Sequence, residues 1–158
     1  MRPCCFSAKR ASSLSISSCI IYSDGGARGN PGPAAAGGVI IAADGSLAAE
    51  VSDYLGVATN NVAEYQALIL VLNKALEMGC QEVTVNLDSE LVVRQLNGAY
   101  RVKDAKMIPL HAKAKSLLRR FASVSIAHVP RSKNKRADEL VNEVLDAHAA
   151  GLREANEL

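Results

Sequence analysis

The chain has 158 residues, of which 49% are hydrophobic and 22% are charged. That length suits one compact domain with a sizeable core and is short for two. Tryptophan is absent and aromatic residues make up only 4%, so the core must be built from aliphatic side chains. No apolar run approaches the roughly 20 residues that a membrane-spanning helix needs, which argues against an integral membrane protein.

The net charge of +2 hides a strong asymmetry along the chain. Residues 23–100 hold three basic and nine acidic residues, residues 101–136 hold eleven basic and one acidic, and residues 137–158 hold one basic and six acidic. A basic block between acidic blocks is typical of a polyanion-binding face beside a site that attracts cations. Charge alone favours the alternative, which is two solvated helix surfaces of opposite sign.

The four cysteines, Cys4, Cys5, Cys19 and Cys80, show no paired C-x-x-C spacing. Neither a zinc site nor a disulfide framework is therefore expected, and a reducing cytoplasm is the default location.

Residues 1–18 are rich in serine and basic residues and contain no acid. We expect a disordered extension there, although the composition is also typical of an organellar transit peptide. The folded domain is expected over 19–150, with a C-terminal tail at 151–158.

The predicted elements follow in the order β-β-β-α-β-α-α-β-α. Strands are predicted over 19–24, 34–44, 46–55, 82–88 and 123–129, and helices over 61–78, 89–97, 106–121 and 134–149. Pro109 places the start of the third helix near Ile108 or later. Tight turns make the first three strands an antiparallel meander. A helical crossover makes the fourth strand parallel to its neighbour, so a mixed sheet is expected.

Four acidic residues fall at the ends of different elements. Asp24 ends the first strand, Asp88 ends the fourth, and Glu64 and Asp138 lie in the first turns of two helices. Neighbouring parallel strands end at the same sheet edge, where ligands tend to bind. Converging carboxylates repel unless a cation neutralises them, and oxygen ligands without histidine or cysteine suit Mg²⁺ or Mn²⁺. Two such ions can hydrolyse a phosphodiester, and the basic block could hold its phosphates.

Each acid also has a purely structural explanation. Glu64 could complete a capping box with Asn61, and the helix dipole favours Asp138. Asp88 could cap the short helix that follows it, and Asp24 could be a turn residue. Taken singly, the structural explanation is favoured for Glu64 and Asp138, since spacing alone does not prove convergence.

Four sequence blocks resemble the catalytic blocks of the type 1 ribonuclease H family, in the same order and with similar spacing. The blocks are YSDGGARGNPGPAAAGGVI, TNNVAEYQALILVL, LDSELVVRQL and NKRADELVN, and the resemblance covers residues 19–147. It implies a ribonuclease H-like α/β fold, with a five-stranded mixed sheet and helices on both faces. It also implies endonucleolytic cleavage of the RNA strand of RNA–DNA hybrids, by a monomer that needs no protein partner.

The resemblance further assigns roles to individual residues. Two Mg²⁺ or Mn²⁺ ions are held by Asp24, Glu64, Asp88 and Asp138, and Asp24 bridges them. The ion on Asp24 and Asp138 activates water, and the other stabilises the departing 3′-oxygen, which leaves a 5′-phosphate and a 3′-hydroxyl. The residues implied in substrate binding, partly through RNA 2′-hydroxyls, are Gly25, Gly26, Asn30, Thr59, Asn60 and Asn61.

The chain departs from the family pattern in two regions. Many members carry a mobile histidine before the last aspartate, and His128 has that spacing but is predicted to lie inside the fifth strand. We expect Arg131 or Ser132 near the position of the missing histidine, with Asn134 as a further candidate. A tryptophan-containing basic protrusion is also missing, so substrate grip is expected from Arg101, Lys103 and Lys106. Two alternatives stay open: a non-catalytic nucleic-acid-binding module of the same fold, and a nuclease for duplex RNA.

Overall fold

A computed structural model describes residues 17–157, with side chains up to residue 152. The strands are β1 (Ser18–Ala27), β2 (Gly32–Ala42), β3 (Leu47–Ala58), β4 (Glu82–Leu87) and β5 (Ser123–His128). The α-helices described are α1 (Asn60–Glu77), α2 (Glu90–Leu96), α3 (Met107–Leu118) and α4 (Lys135–Glu157), and a 3₁₀-helix covers Arg131–Lys133. The predicted N-terminal extension, except for its last two residues, lies outside this range and stays a prediction.

The strands form one mixed sheet in the order β3-β2-β1-β4-β5. β1 pairs antiparallel with β2, and β2 pairs antiparallel with β3. The two pairings made through helical crossovers, β1 with β4 and β4 with β5, are parallel. The predicted element order and mixed sheet are confirmed.

β1 is longer than predicted. We expected a loop from Gly25 onward, but β1 continues to Ala27 because Gly25 and Gly26 pair with Ala36 and Ala35 of β2. The small side chains of β2 allow this extension, and only a short turn at 28–31 separates the two strands.

Two helix boundaries also differ from prediction. α3 begins at Met107, one residue before the predicted start, because Pro109 is tolerated in the first turn of a helix, where its missing N–H has no partner to lose. α4 continues to Glu157, past the expected end at 149. The division of the chain at residue 150 stays a prediction.

The helices cover both faces of the sheet, as expected. On one face, α1, α2 and α3 enclose an aliphatic core whose fully buried members include Ile21, Leu68 and Val85. On the other face, α4 packs through Val141 and Leu145. Gly37 of β2 brings α4 close, since a Cβ there would lie 2.5 Å from the carbonyl oxygen of Ala137. This close contact fixes how near the next residue, Asp138, lies to the sheet.

A disulfide joins Cys19 in β1 to Cys80 before β4, with 6.3 Å between the Cα atoms. The expectation that the chain lacks disulfides is therefore wrong. Both residues are almost fully buried beside the main core. None of the helices described in residues 17–157 has the length and apolar character that crossing a membrane requires.

Candidate active site

Three carboxylates meet at one end of the sheet. Asp24, Glu64 and Asp88 each offer an oxygen atom, and these three atoms lie within 4.8 Å of one another. Two of the positions follow from strand register: Ser23 pairs with Leu87, so the next residues, Asp24 and Asp88, lie side by side. The predicted convergence of these three acids is therefore observed.

Glu64 reaches the cluster because α1 lies unusually close to β1. A Cβ on Gly25 would lie 2.1 Å from the carbonyl oxygen of Ala63, so only glycine permits this approach. The Gly25 amide then donates a hydrogen bond of 2.7 Å to Oε1 of Glu64. A strand amide and a helix carboxylate thus bind each other at the centre of the site.

Residues other than the acids cap the N-termini of α1 and α2. Thr59 caps α1, with its hydroxyl accepting from the Val62 amide, and Ser89 caps α2, with its hydroxyl accepting from the Val92 amide. The structural explanations considered for Glu64 and Asp88 are therefore wrong, and both carboxylates are left for other interactions.

The cluster is electrostatically unfavourable in the absence of a cation. Burial, the largest cause, and repulsion from Asp88 and Asp138 raise the pKa of Asp24 to about 7, against a hydrogen bond with Glu64 that lowers it. Burial and the neighbouring charge of Asp24 raise the pKa of Glu64 well above its usual range. At neutral pH, these two carboxylates therefore share protons unless a cation takes their place.

Asp138 joins the site from the first turn of α4. It is half-buried, lines the same cavity and lies close enough to Asp24 to affect its pKa. It is not part of the tight group formed by the other three acids. The four predicted carboxylates therefore share one cavity, with Asp138 at the side opposite α1.

The carboxylates suit a hard divalent cation. They open into a cavity of about 420 Å³ with a largely polar lining. Oδ2 of Asp88 is buried and finds no hydrogen-bond partner among the described residues, which is costly unless a ligand is bound. All the clustered donors are carboxylate oxygens, the ligand type that Mg²⁺ and Mn²⁺ prefer.

The predicted substrate residues surround this cavity. Gly25, Gly26, Asn60 and Asn61 line it directly. Asn30 lies outside the lining, in the exposed turn, where its Oδ1 accepts a 3.0 Å hydrogen bond from the Asn60 amide. Oδ1 of Asn60 in turn accepts from the Ala27 amide at 2.9 Å. These bonds join the β1–β2 turn to the start of α1, so the two segments present one surface.

The three candidates before Asp138 lie in different places. Arg131 is exposed and lines the cavity, as expected. His128 is the exposed last residue of β5, as the strand prediction required, and is not among the lining residues. Asn134 is only 1% exposed, and its Nδ2 donates to the Ser23 carbonyl oxygen at 2.9 Å. Asn134 therefore holds the end of β1 and is too buried to contact substrate in this structure.

Sequence reasoning missed three polar residues that line the cavity, Arg28, Ser89 and Asn142. Arg28 and Ser89 stand inside the quoted motif blocks, so proximity to the acids could have identified them. Asn142 is the last residue of the fourth block and follows Asp138 by one helical turn, which places it on the same face of the helix.

The fold and the site define a ribonuclease H-like architecture: a five-stranded mixed sheet with carboxylates where adjacent parallel strands end. Residues 22–144 match the family model described as reverse transcriptase-like. The structure of LC11-RNase H1 in complex with an RNA/DNA hybrid is similar, with a TM-score of 0.79 and 47% identity over 83% of this chain and 99% of that chain. The chain therefore belongs to the type 1 ribonuclease H family.

Two relatives are longer than this chain. Ribonuclease HI of Halobacterium salinarum is 48% identical over 125 residues, which are 79% of this chain and 63% of that protein. The bifunctional protein Rv2228c of Mycobacterium tuberculosis is 44% identical over 131 residues, which are 82% of this chain and 36% of that protein. The chain thus spans less than two thirds of these curated relatives.

Proposed function

We propose that this chain is a metal-dependent endonuclease that hydrolyses the RNA strand of RNA–DNA hybrids. The observation that carries the proposal is the meeting of Asp24, Glu64 and Asp88 within 4.8 Å in an open polar cavity. A structural neighbour at 47% identity is described in complex with an RNA/DNA hybrid, which supports the choice of substrate.

The carboxylates would hold two divalent cations, for which we propose Mg²⁺. When bound, such ions lower the pKa of a water molecule and stabilise charge on the departing 3′-oxygen of a phosphodiester. Asp24 lies centrally, between Glu64 on one side and Asp138 on the other, and is the natural bridging residue. Products with a 5′-phosphate and a 3′-hydroxyl are part of this proposal.

The chain itself supplies the substrate surface. Gly26 and Ala27 border the cavity, and the absence of a side chain on Gly26 would let a sugar-phosphate backbone approach. Asn60 and Asn61 offer amide groups suited to 2′-hydroxyls, the feature that distinguishes RNA from DNA. Arg131 lines the same cavity and would provide a cation for a phosphate.

The second strand of the hybrid would lie toward α3. Lys106 shares a groove of about 390 Å³ with Thr59 and Pro31, next to the β1–β2 turn. Arg101 and Lys103, both exposed, precede Lys106 by five and three residues. A surface with several such cations makes hybrid binding weaken steeply as salt concentration rises.

The decisive experiment measures cleavage of a labelled RNA–DNA hybrid with Mg²⁺ or Mn²⁺, and with EDTA as the metal-free condition. We expect cleavage with metal only, and the variant Asp24→Asn should be slower on the order of a thousandfold while still binding hybrid. Glu77→Gln, an exposed acid at the far end of α1, is the matched control. Hybrid binding without any cleavage would favour the non-catalytic alternative.

Substrate range is tested by the same assay on duplex RNA and duplex DNA. Faster cleavage of duplex RNA than of hybrid would contradict the proposed substrate and favour the second alternative. Monomeric state, the absence of protein partners and a cytoplasmic location also stay predictions. The Cys19–Cys80 disulfide weakens the cysteine-based reason for a reducing compartment.

A further inference from the structure

Arg28 extends across the outer rim of the cavity, from the β1–β2 turn to α4. Its Nη2 lies 2.7 Å from Oδ1 of Asp146 and 3.2 Å from Oδ1 of Asn142. The backbone beneath it is held in place, since its amide donates to the Pro33 carbonyl oxygen at 2.8 Å. Gly32 packs against the Arg28 carbonyl so closely that a Cβ would lie 2.1 Å from its oxygen. The constrained β1–β2 turn thus places the flexible, positively charged side chain of Arg28 against α4.

Asn142 connects that cation to Asp138. Nδ2 of Asn142 donates to the Asp138 carbonyl oxygen at 3.1 Å and lies 3.4 Å from its carboxylate Oδ2. An asparagine amide can face either way, and its neighbours decide the orientation. A guanidinium can only donate, so Arg28 requires the amide oxygen on its own side and turns the amide NH₂ toward Asp138.

We propose that Arg28 is a positioning residue that orients Asp138 through Asn142, and that Asp146 holds Arg28 in place. The inference rests on the proposed function, because it assigns Asp138 a task at the metal site. Asp138 is the acid that needs such help: it stands outside the tight group of three carboxylates and is repelled by Asp24. A fixed amide donor compensates that repulsion and keeps the carboxylate pointing into the cavity.

A general stabilising role is a weak explanation for this contact. The Arg28 and Asp146 side chains are 45% and 70% exposed, and exposed ion pairs contribute little to folding. The chain offers a matched comparison in Lys74 and Glu77, which are 2.9 Å apart and 38% and 71% exposed, at the end of α1 away from the site. An effect specific to Arg28 should therefore be absent for Lys74.

The test uses the full chain and five variants: Arg28→Met, Arg28→Lys, Asp146→Asn, the double variant of Arg28→Met with Asp146→Asn, and Lys74→Met as control. Binding of Mn²⁺ is measured by calorimetry without nucleic acid, and kcat and KM are measured on a labelled hybrid. We expect Arg28→Met to weaken Mn²⁺ binding and lower kcat by about three- to tenfold, with KM for the hybrid unchanged. Asp146→Asn should give a smaller loss of the same kind, and the double variant should be no worse than Arg28→Met. Arg28→Lys should restore part of the loss.

Two results would overturn the inference. A raised KM with unchanged kcat and unchanged Mn²⁺ binding would make Arg28 a direct nucleic-acid contact, and Asp146→Asn would then leave the enzyme unimpaired. If Arg28→Met has the same Mn²⁺ affinity, kcat and KM as Lys74→Met, the contact between Arg28 and Asp146 is only a surface ion pair. If the wild-type chain fails to cleave any hybrid, the proposed function fails, whereas the calorimetry still decides whether Arg28 affects metal binding.

Discussion

The two halves of β1 are built in opposite ways. Near its start, Cys19 is 3% exposed, bonded to Cys80 and surrounded by aliphatic side chains. Five residues later, Asp24 is almost as buried but lies against three other acids. The half of the strand that contains Cys19 stabilises the fold. The half that contains Asp24 places like charges together, at a cost in free energy.

The difference shows how this fold tolerates its site. Buried like charges destabilise a protein unless a cation or protons neutralise them. The strand that carries Asp24 resists that repulsion, because it is hydrogen-bonded to β2 on one side and to β4 on the other. The carboxylates are therefore held together before any cation arrives, which is preorganisation of the site.

The largest expected effect on stability comes from removing the disulfide near the start of β1. The double variant Cys19→Ala/Cys80→Ala removes a cross-link between residues separated by 61 positions, and this should lower the free energy of unfolding by about 3–4 kcal/mol. Urea unfolding measures the change, and wild type treated with a reductant should match the variant. Hybrid cleavage at 25 °C should stay near the wild-type rate, since the site lies at the other end of β1. A loss below about 1 kcal/mol would contradict the role given to this end.

The second-largest expected effect comes from adding a side chain where β1 and α1 are in close contact. Gly25→Ala puts a methyl group into the Ala63 carbonyl, so β1 and α1 must separate. We expect a loss of about 2–3 kcal/mol in stability and a loss of activity on the order of a hundredfold, because Glu64 moves away from Asp24.

Gly26→Ala is the matched control for stability. A Cβ at Gly26 meets only the Val141 side chain, at an ordinary 3.8 Å. Equal stability losses in the two variants would show that the approach of α1 is not what Gly25 provides. Thermal unfolding and circular dichroism of both proteins decide the question.

The third effect is the free-energy cost of the carboxylates themselves. The folded state raises the pKa of Asp24 from 3.8 to about 7, so the folded protein binds this proton more tightly than the unfolded chain does. The associated stability is fully present below about pH 4 and is lost as the pH rises through about 7. In EDTA at pH 8, Asp24→Asn should therefore be more stable than wild type, by a few kcal/mol at most.

The free energy of unfolding, measured from pH 5 to 8, tests whether the ionised Asp24 carboxylate destabilises the fold. The gap between Asp24→Asn and wild type should shrink as the pH falls, and added Mg²⁺ should stabilise wild type more than the variant. Asp53→Asn, an exposed acid on β3, should show no such gap. A variant less stable than wild type at pH 8 without metal would refute the idea that the acids oppose folding.

Much of this architecture could be predicted because it depends on local patterns. Alternating and helical periodicities located nine elements, and the helical crossover made β4 parallel to β1. Once those strands are adjacent and parallel, Asp24 and Asp88 must end side by side. These two acids can therefore be placed from the sequence pattern, whereas Glu64 and Asp138 are assigned to the site by the family resemblance.

What could not be predicted depends on contacts between distant segments. Cys19 and Cys80 carry no pairing signal in the sequence, and only the sheet brings them together. The extension of β1 past Asp24 required knowing that Ala35 and Ala36 lie opposite the glycines. Thr59 caps α1 in place of Asn61, because α1 begins at Asn60 and Asn61 already lies inside its first turn. Each of these facts requires three-dimensional neighbours that residue spacing does not report.

The smallest effect concerns Asn134, which bonds the residue just before Asp24. Its Nδ2 donates to the Ser23 carbonyl oxygen at 2.9 Å, while its own Oδ1 is buried without a partner among the described residues. Asn134→Ala removes the bond together with that unpaired oxygen, so we expect a stability loss of only about 1 kcal/mol, with kcat lowered and KM unchanged. Asn134→Asp keeps the shape but replaces the donor by an acceptor facing the Ser23 carbonyl, and should cost more than alanine does. If aspartate is tolerated better than alanine, the bond to Ser23 is not what holds this end of β1, and the packing of α4 on Gly37 must position Asp24's strand instead.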